Sequence, residues 1–177
     1  MKKFPNFFSG FCFQNEGVLF EHLANLQMPY SFSGFSYGSI LAFRATLQSL
    51  KNHQRVQKLN LFSPAFFQNQ SPAFLRMQIL GYKQNPQNYI KKFLDLCHFN
   101  HQNFLKIGTL EELQDLLYFQ WNPKDLEWLV AQGVEIEVFL GAKDQVICAE
   151  SVRRFFTPFA QIRIYANHSH CLQDIRA

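Results

Sequence analysis

Apolar and polar residues along this chain repeat with two periods. Val56-Gln57-Lys58-Leu59-Asn60-Leu61-Phe62 alternates almost residue by residue, and Val134 to Leu140 does so most plainly, with Val134, Ile136, Val138 and Leu140 on one face. A period of two predicts a strand at each place. Asn6 to Cys12, the apolar run that ends at Phe35, and Ile162-Arg163-Ile164-Tyr165-Ala166 read as three more strands. Helical spacing appears between them: Asn15 to Leu23 with Leu19, Phe20 and Leu23 on one side, and the segment after Tyr37 with Ile40, Leu41, Ala45 and Leu47. Pro72 to Leu80 and Pro86 to Cys97 each open on a proline suited to a first helical turn. Thr109 and Glu112 have capping-box spacing, Asn122 and Gly133 bracket another helix, and Ala149 to Phe156 forms the last. Strands alternating with helices predict a mainly parallel sheet. Residues 65–120 interrupt that alternation with three helices, which predicts a helical lid inserted before the last two strands, above their C-terminal ends.

With 177 residues and 47% hydrophobic content, the chain suits one domain, 1–177, with one well-buried core. Its 21 phenylalanines are expected mostly to fill that core, with some lining an apolar channel. A net charge of +4 with scattered Lys and Arg excludes a nucleic-acid footprint and suits an acidic protein partner. Cys12, Cys97, Cys148 and Cys171 show no Cys-x-x-Cys spacing, as in a reduced, cytoplasmic protein. Lys2-Lys3 precedes an aromatic run, but Pro5, Asn6, Ser9 and Gly10 interrupt it, and no apolar stretch approaches a bilayer-spanning length. The expectation is a soluble monomer without membrane contact.

The candidate chemistry lies in Gly34-Phe35-Ser36-Tyr37-Gly38, a Gly-x-Ser-x-Gly pattern between a strand and a helix. Such patterns also arise by chance in turns. Here the flanks are right: small residues let the backbones pass, and a starting helix aims free N–H groups and its positive dipole end beside Ser36. That is the nucleophile elbow of an α/β-hydrolase, whose acid and histidine follow in loops after late strands. Asp144, after the Val134–Leu140 strand, is the candidate acid, although Lys143-Asp144-Gln145 is also ordinary turn chemistry. His170 is the favoured base and His168 the second choice. One oxyanion donor is expected from the loop after the first strand, Phe11 first and Cys12 next, and the other from Tyr37. His168, His170 and Cys171, or Cys97, His98 and His101, lack the repeated ligand pairs of a zinc site, and no metal or cofactor is expected.

The Phe7-Phe8-Ser9-Gly10-Phe11 start, the elbow, Gly141-Ala142-Lys143-Asp144 and Ser169-His170-Cys171-Leu172 resemble the small BioV-type pimeloyl-acyl-carrier-protein methyl ester esterases of biotin synthesis. The resemblance implies a compact, truncated α/β-hydrolase fold and removal of the methyl cap from a pimeloyl chain borne by an acyl-carrier protein. It further implies that basic residues of the lid, Arg76, Lys83, Lys91, Lys92 and Lys106, meet the acidic carrier. A thioesterase or generalist carboxylesterase using the same residues is the alternative enzyme. A catalytically inactive hydrolase fold that binds a carrier protein is the alternative from another class.

Overall fold

The computed structural model describes residues 4–99 and 101–176; Lys2 and Lys3 lie outside the described residues. Strands β1 (Phe7–Phe8), β2 (Ser31–Phe35), β3 (Lys58–Phe62), β4 (Glu135–Gly141) and β5 (Gln161–Tyr165) form one sheet in sequential order. Each neighbouring pair is parallel. Helix α1 (Tyr37–Lys51) links β2 to β3, and α6 (Ala149–Phe156) links β4 to β5. Between β3 and β4 come α2 (Pro72–Gln84), α3 (Pro86–Leu96), α4 (Leu110–Tyr118) and α5 (Pro123–Ala131). The first three make the helical lid of a compact α/β-hydrolase fold.

The helix starts follow their capping chemistry. The side chains of Ser71 and Asn85 accept the N–H of Phe74 and Asn88, each with proline at the next position. Thr109 and Glu112 cap one another reciprocally, and Asn122 accepts Lys124 N–H.

One face of the sheet carries Leu59, Leu61, Ile136, Val138 and Leu140, packed with Ile40 and Phe43 of α1, Leu126 and Leu129 of α5, and Val152 and Phe156 of α6. The other face presents a row of Phe35, Phe62 and Phe139 in register. Phe20 stacks on Phe62 at 4.8 Å between centroids, and Phe62 on Phe139 at 4.7 Å. Each such pair contributes about 0.5–1.5 kcal/mol beyond its buried area. Among the described residues no α-helix joins this second cluster except through the end of α3; loops and aromatic rings cover the sheet instead.

Two local expectations are corrected and one is extended. Residues 15–23 do not form an amphipathic α-helix: a five-residue 3₁₀ helix, Glu16–Phe20, follows Asn15 at a left-handed φ of 56°, and the chain leaves it in a turn at Glu21. Its buried residues are Glu16, Gly17 and Phe20. The first strand is confined to Phe7–Phe8, because Gly10 to Phe13 turn away from the sheet. The alternation over 134–140 does mark one apolar face, Val134, Ile136, Val138 and Leu140, and β4 is also buried on its other side from Ile136 to Gly141, as a central parallel strand is. Glu137 is tolerated there because Lys58 Nζ lies 2.9 Å and Arg163 3.5 Å from its carboxylate.

Candidate active site

Ser36 sits where β2 ends and α1 begins, with φ 51° and ψ −114°. A non-glycine residue held there costs about 1–3 kcal/mol, so its surroundings must enforce it. They do so from both sides. Ser36 N–H donates to Phe62 C=O at 2.9 Å, and Ser36 C=O accepts from Ser39 N–H at 3.0 Å and Ala65 N–H at 3.2 Å. The Ser39 hydroxyl closes the turn on Gly34 C=O at 2.7 Å. A Cβ at Gly34 would run into the Gly38 carbonyl, and one at Gly38 into the Phe8 carbonyl, so both glycines are demanded by backbone approach.

β4 and β5 deliver the partners. Asp144 follows β4 in a turn closed by Asp144 N–H on Gly141 C=O at 3.2 Å. Its Oδ1 accepts Val146 N–H at 2.7 Å and Ile147 N–H at 3.0 Å. Its Oδ2 lies 2.7 Å from His170 Nδ1, and His170 Nε2 lies 3.0 Å from Ser36 Oγ. A carboxylate accepts only, so the network assigns the ring proton to Nδ1 and leaves Nε2 free to accept from the serine. The His170 and Asp144 side chains are 0% and 1% exposed. Phe35 at 5.2 Å and Phe93 of α3 at 6.4 Å wall the imidazole.

His168 is not brought to the serine. Its ring rests on Tyr165 at 5.1 Å, its Nδ1 is buried without a partner, and its carbonyl accepts Lys143 N–H at 3.0 Å. That last bond ties the acid loop to the histidine loop. Between the two candidate histidines, the geometry selects His170.

Phe11 and Ser36 line the same pocket. The Phe11 N–H makes no hydrogen bond among the described residues, and the first-turn N–H of Tyr37 has no intrahelical acceptor. Cys12, next to Phe11, is buried, and desolvation pushes its thiol up to about 12. The pocket has a volume of ≈ 440 Å³, within the range of small-molecule sites, and its walls include Phe67, Phe93, Leu113 and Leu117. Among the described residues Lys92 is its one charged lining group. Arg76, Lys83 and Lys91 are exposed on α2 and α3, whereas Lys106 pairs with Glu112 at 2.7 Å.

Sequence reasoning missed a network beside the elbow. The Tyr37 hydroxyl donates to Asp115 of α4 at 2.9 Å, and Arg44 of α1 grips the same carboxylate through two nitrogens, at 2.5 and 2.7 Å. Arg44 holds the Asp115 carboxyl below its ordinary range, and burial with the Asp115 bond pushes the Tyr37 phenol up to about 12. The residue after Ser36 is thereby fastened to the lid. Only the three-dimensional approach of α1 and α4 reveals it, since each charge alone reads as a solvated helix face. Among the described residues, no three or more His, Cys, Asp or Glu side chains are grouped to hold a metal ion.

No protein-family model matches the sequence, and no curated protein sequence matches it. Solved structures do. A hydrolase from Oleispira antarctica superposes with a TM-score of 0.61 at 18% identity over 80% of this chain. The chain spans 58% of that hydrolase, less than two thirds of its length. A lipase-esterase related protein from Clostridium acetobutylicum gives 0.66 at 13% identity, covering 96% of this chain and 88% of that one. BioG from Haemophilus influenzae gives 0.59 at 11% identity, covering 93% and 87%. At these identities the likeness is one of fold.

Proposed function

From the α/β-hydrolase fold of this chain, we propose a serine carboxylesterase that removes the methyl group from a pimeloyl methyl ester carried by an acyl-carrier protein. The observation that carries the hydrolase reading is the unbroken chain from Ser36 Oγ through His170 to Asp144, opening on an apolar pocket. In this reading Ser36 Oγ attacks the ester carbonyl while His170 Nε2 takes its proton. Phe11 N–H and Tyr37 N–H hold the oxyanion, and Asp144 steadies the imidazolium. Collapse of the intermediate expels methoxide, which leaves as methanol with the proton from His170. Water then attacks the acyl-enzyme, His170 takes its proton and returns it to Ser36 Oγ, and the free acid departs on its carrier.

The substrate assignment rests on the motif resemblance and on a pocket whose apolar walls suit a methylene chain. The exposed cations Arg76, Lys83, Lys91 and Lys92 on α2 and α3 supply a surface for an acidic carrier, with Lys106 contributing less because Glu112 holds it. Purified protein offered the methyl ester and the thioester of one acyl chain tests the assignment. Faster methyl ester cleavage, abolished in Ser36→Ala, is the expected result; faster thioester cleavage would overturn it.

A further inference from the structure

Glu16 is 0% exposed, and no step of ester hydrolysis uses it. Its Oε1 accepts Gly10 N–H at 2.8 Å. Its Oε2 is buried without a hydrogen bond of good geometry, the Ser9 hydroxyl exerting only a weaker pull. A buried carboxyl is costly to keep, and here its hydrogen bond of good geometry goes to Gly10 N–H, its own N–H and Ser9 exerting weaker pulls.

Gly10 joins two peptide planes. The first carries its N–H, which Glu16 holds. The second carries Gly10 C=O and Phe11 N–H, which point in opposite directions because a trans peptide is planar. Phe13 N–H donates to that carbonyl at 3.1 Å. The two bonds together set the direction of Phe11 N–H, and Lys106 N–H pins the far side of the turn on Cys12 C=O at 3.0 Å.

We propose that Glu16 is a positioning residue for the oxyanion hole, its carboxyl group holding Gly10 so that Phe11 N–H stays aimed at the reacting carbonyl oxygen. The proposal rests on Phe11 as a donor in the mechanism above, and it does not depend on the identity of the acyl chain. Desolvation pushes the Glu16 carboxyl up from its ordinary range, against the pull of Gly10 N–H. The direction of that shift suits the place, because a second negative charge near a forming oxyanion would oppose it.

The test compares Glu16→Gln, which keeps an acceptor for Gly10, with Glu16→Met, which fills the space without one. Hydrolysis of p-nitrophenyl butyrate and inhibition by butylboronic acid are measured together, the tetrahedral boronate occupying the oxyanion site. Glu16→Met is expected to lose about ten- to a hundredfold in kcat with KM within twofold, and to bind the boronate more weakly by a similar factor. Glu16→Gln is expected to restore both. A folded Met variant with wild-type kcat and boronate affinity, a Gln variant as impaired as the Met variant, or a Met variant that cannot fold beside an intact Gln variant would each overturn the proposal. Loss of p-nitrophenyl butyrate turnover in Ser36→Ala checks the serine-hydrolase reading separately, and a failed preference for the methyl ester leaves the Glu16 comparison intact.

Discussion

Asp144→Asn replaces Oδ2 by an amide nitrogen and leaves the side chain the same size. Oδ1 still accepts from Val146 and Ile147 N–H, at 2.7 and 3.0 Å in the wild type, so the turn keeps its shape. The change falls on the 2.7 Å contact with His170 Nδ1, where an acceptor becomes a donor. The imidazole answers by moving its proton to Nε2, the nitrogen 3.0 Å from Ser36 Oγ, and can no longer take the serine's proton. A wrong tautomer in this arrangement costs about 10⁴ in kcat, or about 5 kcal/mol of transition-state stabilisation. The stability cost is that of one charge-assisted hydrogen bond, roughly 2 kcal/mol, for a Tm drop of about 4–8 °C. Steady-state hydrolysis of p-nitrophenyl butyrate, together with the rate of Ser36 labelling by a fluorophosphonate, measures the effect. A folded Asp144→Asn variant within tenfold of the wild type in both assays would refute the role given to Asp144.

Gly38→Ala forces a methyl group against the Phe8 carbonyl and should destabilise the fold by about 3 kcal/mol or more, read as a fall in Tm; a Tm unchanged within 1 °C, on the order of the scatter expected of surface changes, would contradict the close approach. Asp115→Asn should cost about 1 kcal/mol, the partial exposure of Asp115 and Arg44 discounting the pair. Because the Asp115 carboxyl is held below its ordinary 3.8, its contribution is present above that value and lost as pH falls through the folded-state pKa. The wild type should therefore lose stability relative to Asp115→Asn on acidification in denaturant melts, and parallel curves down to pH 2, on the order of one to two units below an ordinary aspartate, would exclude the linkage. Lys92→Glu at the pocket rim should raise KM for a carrier-borne ester by about tenfold while leaving p-nitrophenyl butyrate turnover unchanged; equal losses on both substrates would remove Lys92 from carrier recognition.

What the sequence makes legible is what local chemistry alone dictates. The elbow reads directly because two glycines flank the serine wherever a strand must turn sharply into a helix, and the structure finds backbone on both sides of them. The lid helices read because each start is written in its cap. The choice between His168 and His170 is not legible, since both lie in one loop two residues apart. Only the folded chain tells them apart: His170 Nε2 lies 3.0 Å from Ser36 Oγ, whereas the His168 ring packs on Tyr165. Glu16 was hidden for a related reason: helical spacing puts it on the same face as Leu19, Phe20 and Leu23, and only the fold shows that Gly10 N–H meets its carboxylate there. The double burial of β4 was masked because its second face is written with Glu137 and Phe139, and only neighbouring strands show where their partners stand.

The rigidity the site requires is supplied with little helix on one side of the sheet. Ser36, Asp144 and His170 follow the ends of β2, β4 and β5, so their spacing is set by strands whose register is fixed by paired residues such as Phe35, Phe62 and Phe139. Phe35 immediately precedes Ser36 and also walls the His170 ring, so the stack that closes the sheet's thin face reaches the His170 imidazole. Phe20 touches Phe35 at 5.1 Å and Phe62 at 4.8 Å, and it ends the 3₁₀ turn that begins with Glu16. The same short segment therefore packs behind Ser36 and grips the loop of Gly10. Aromatic packing in close-fitting geometry transmits small displacements rather than absorbing them. A cavity opened at Phe20 would accordingly disturb the Ser36 elbow and the Gly10–Phe13 turn together, because both are held from that one 3₁₀ turn.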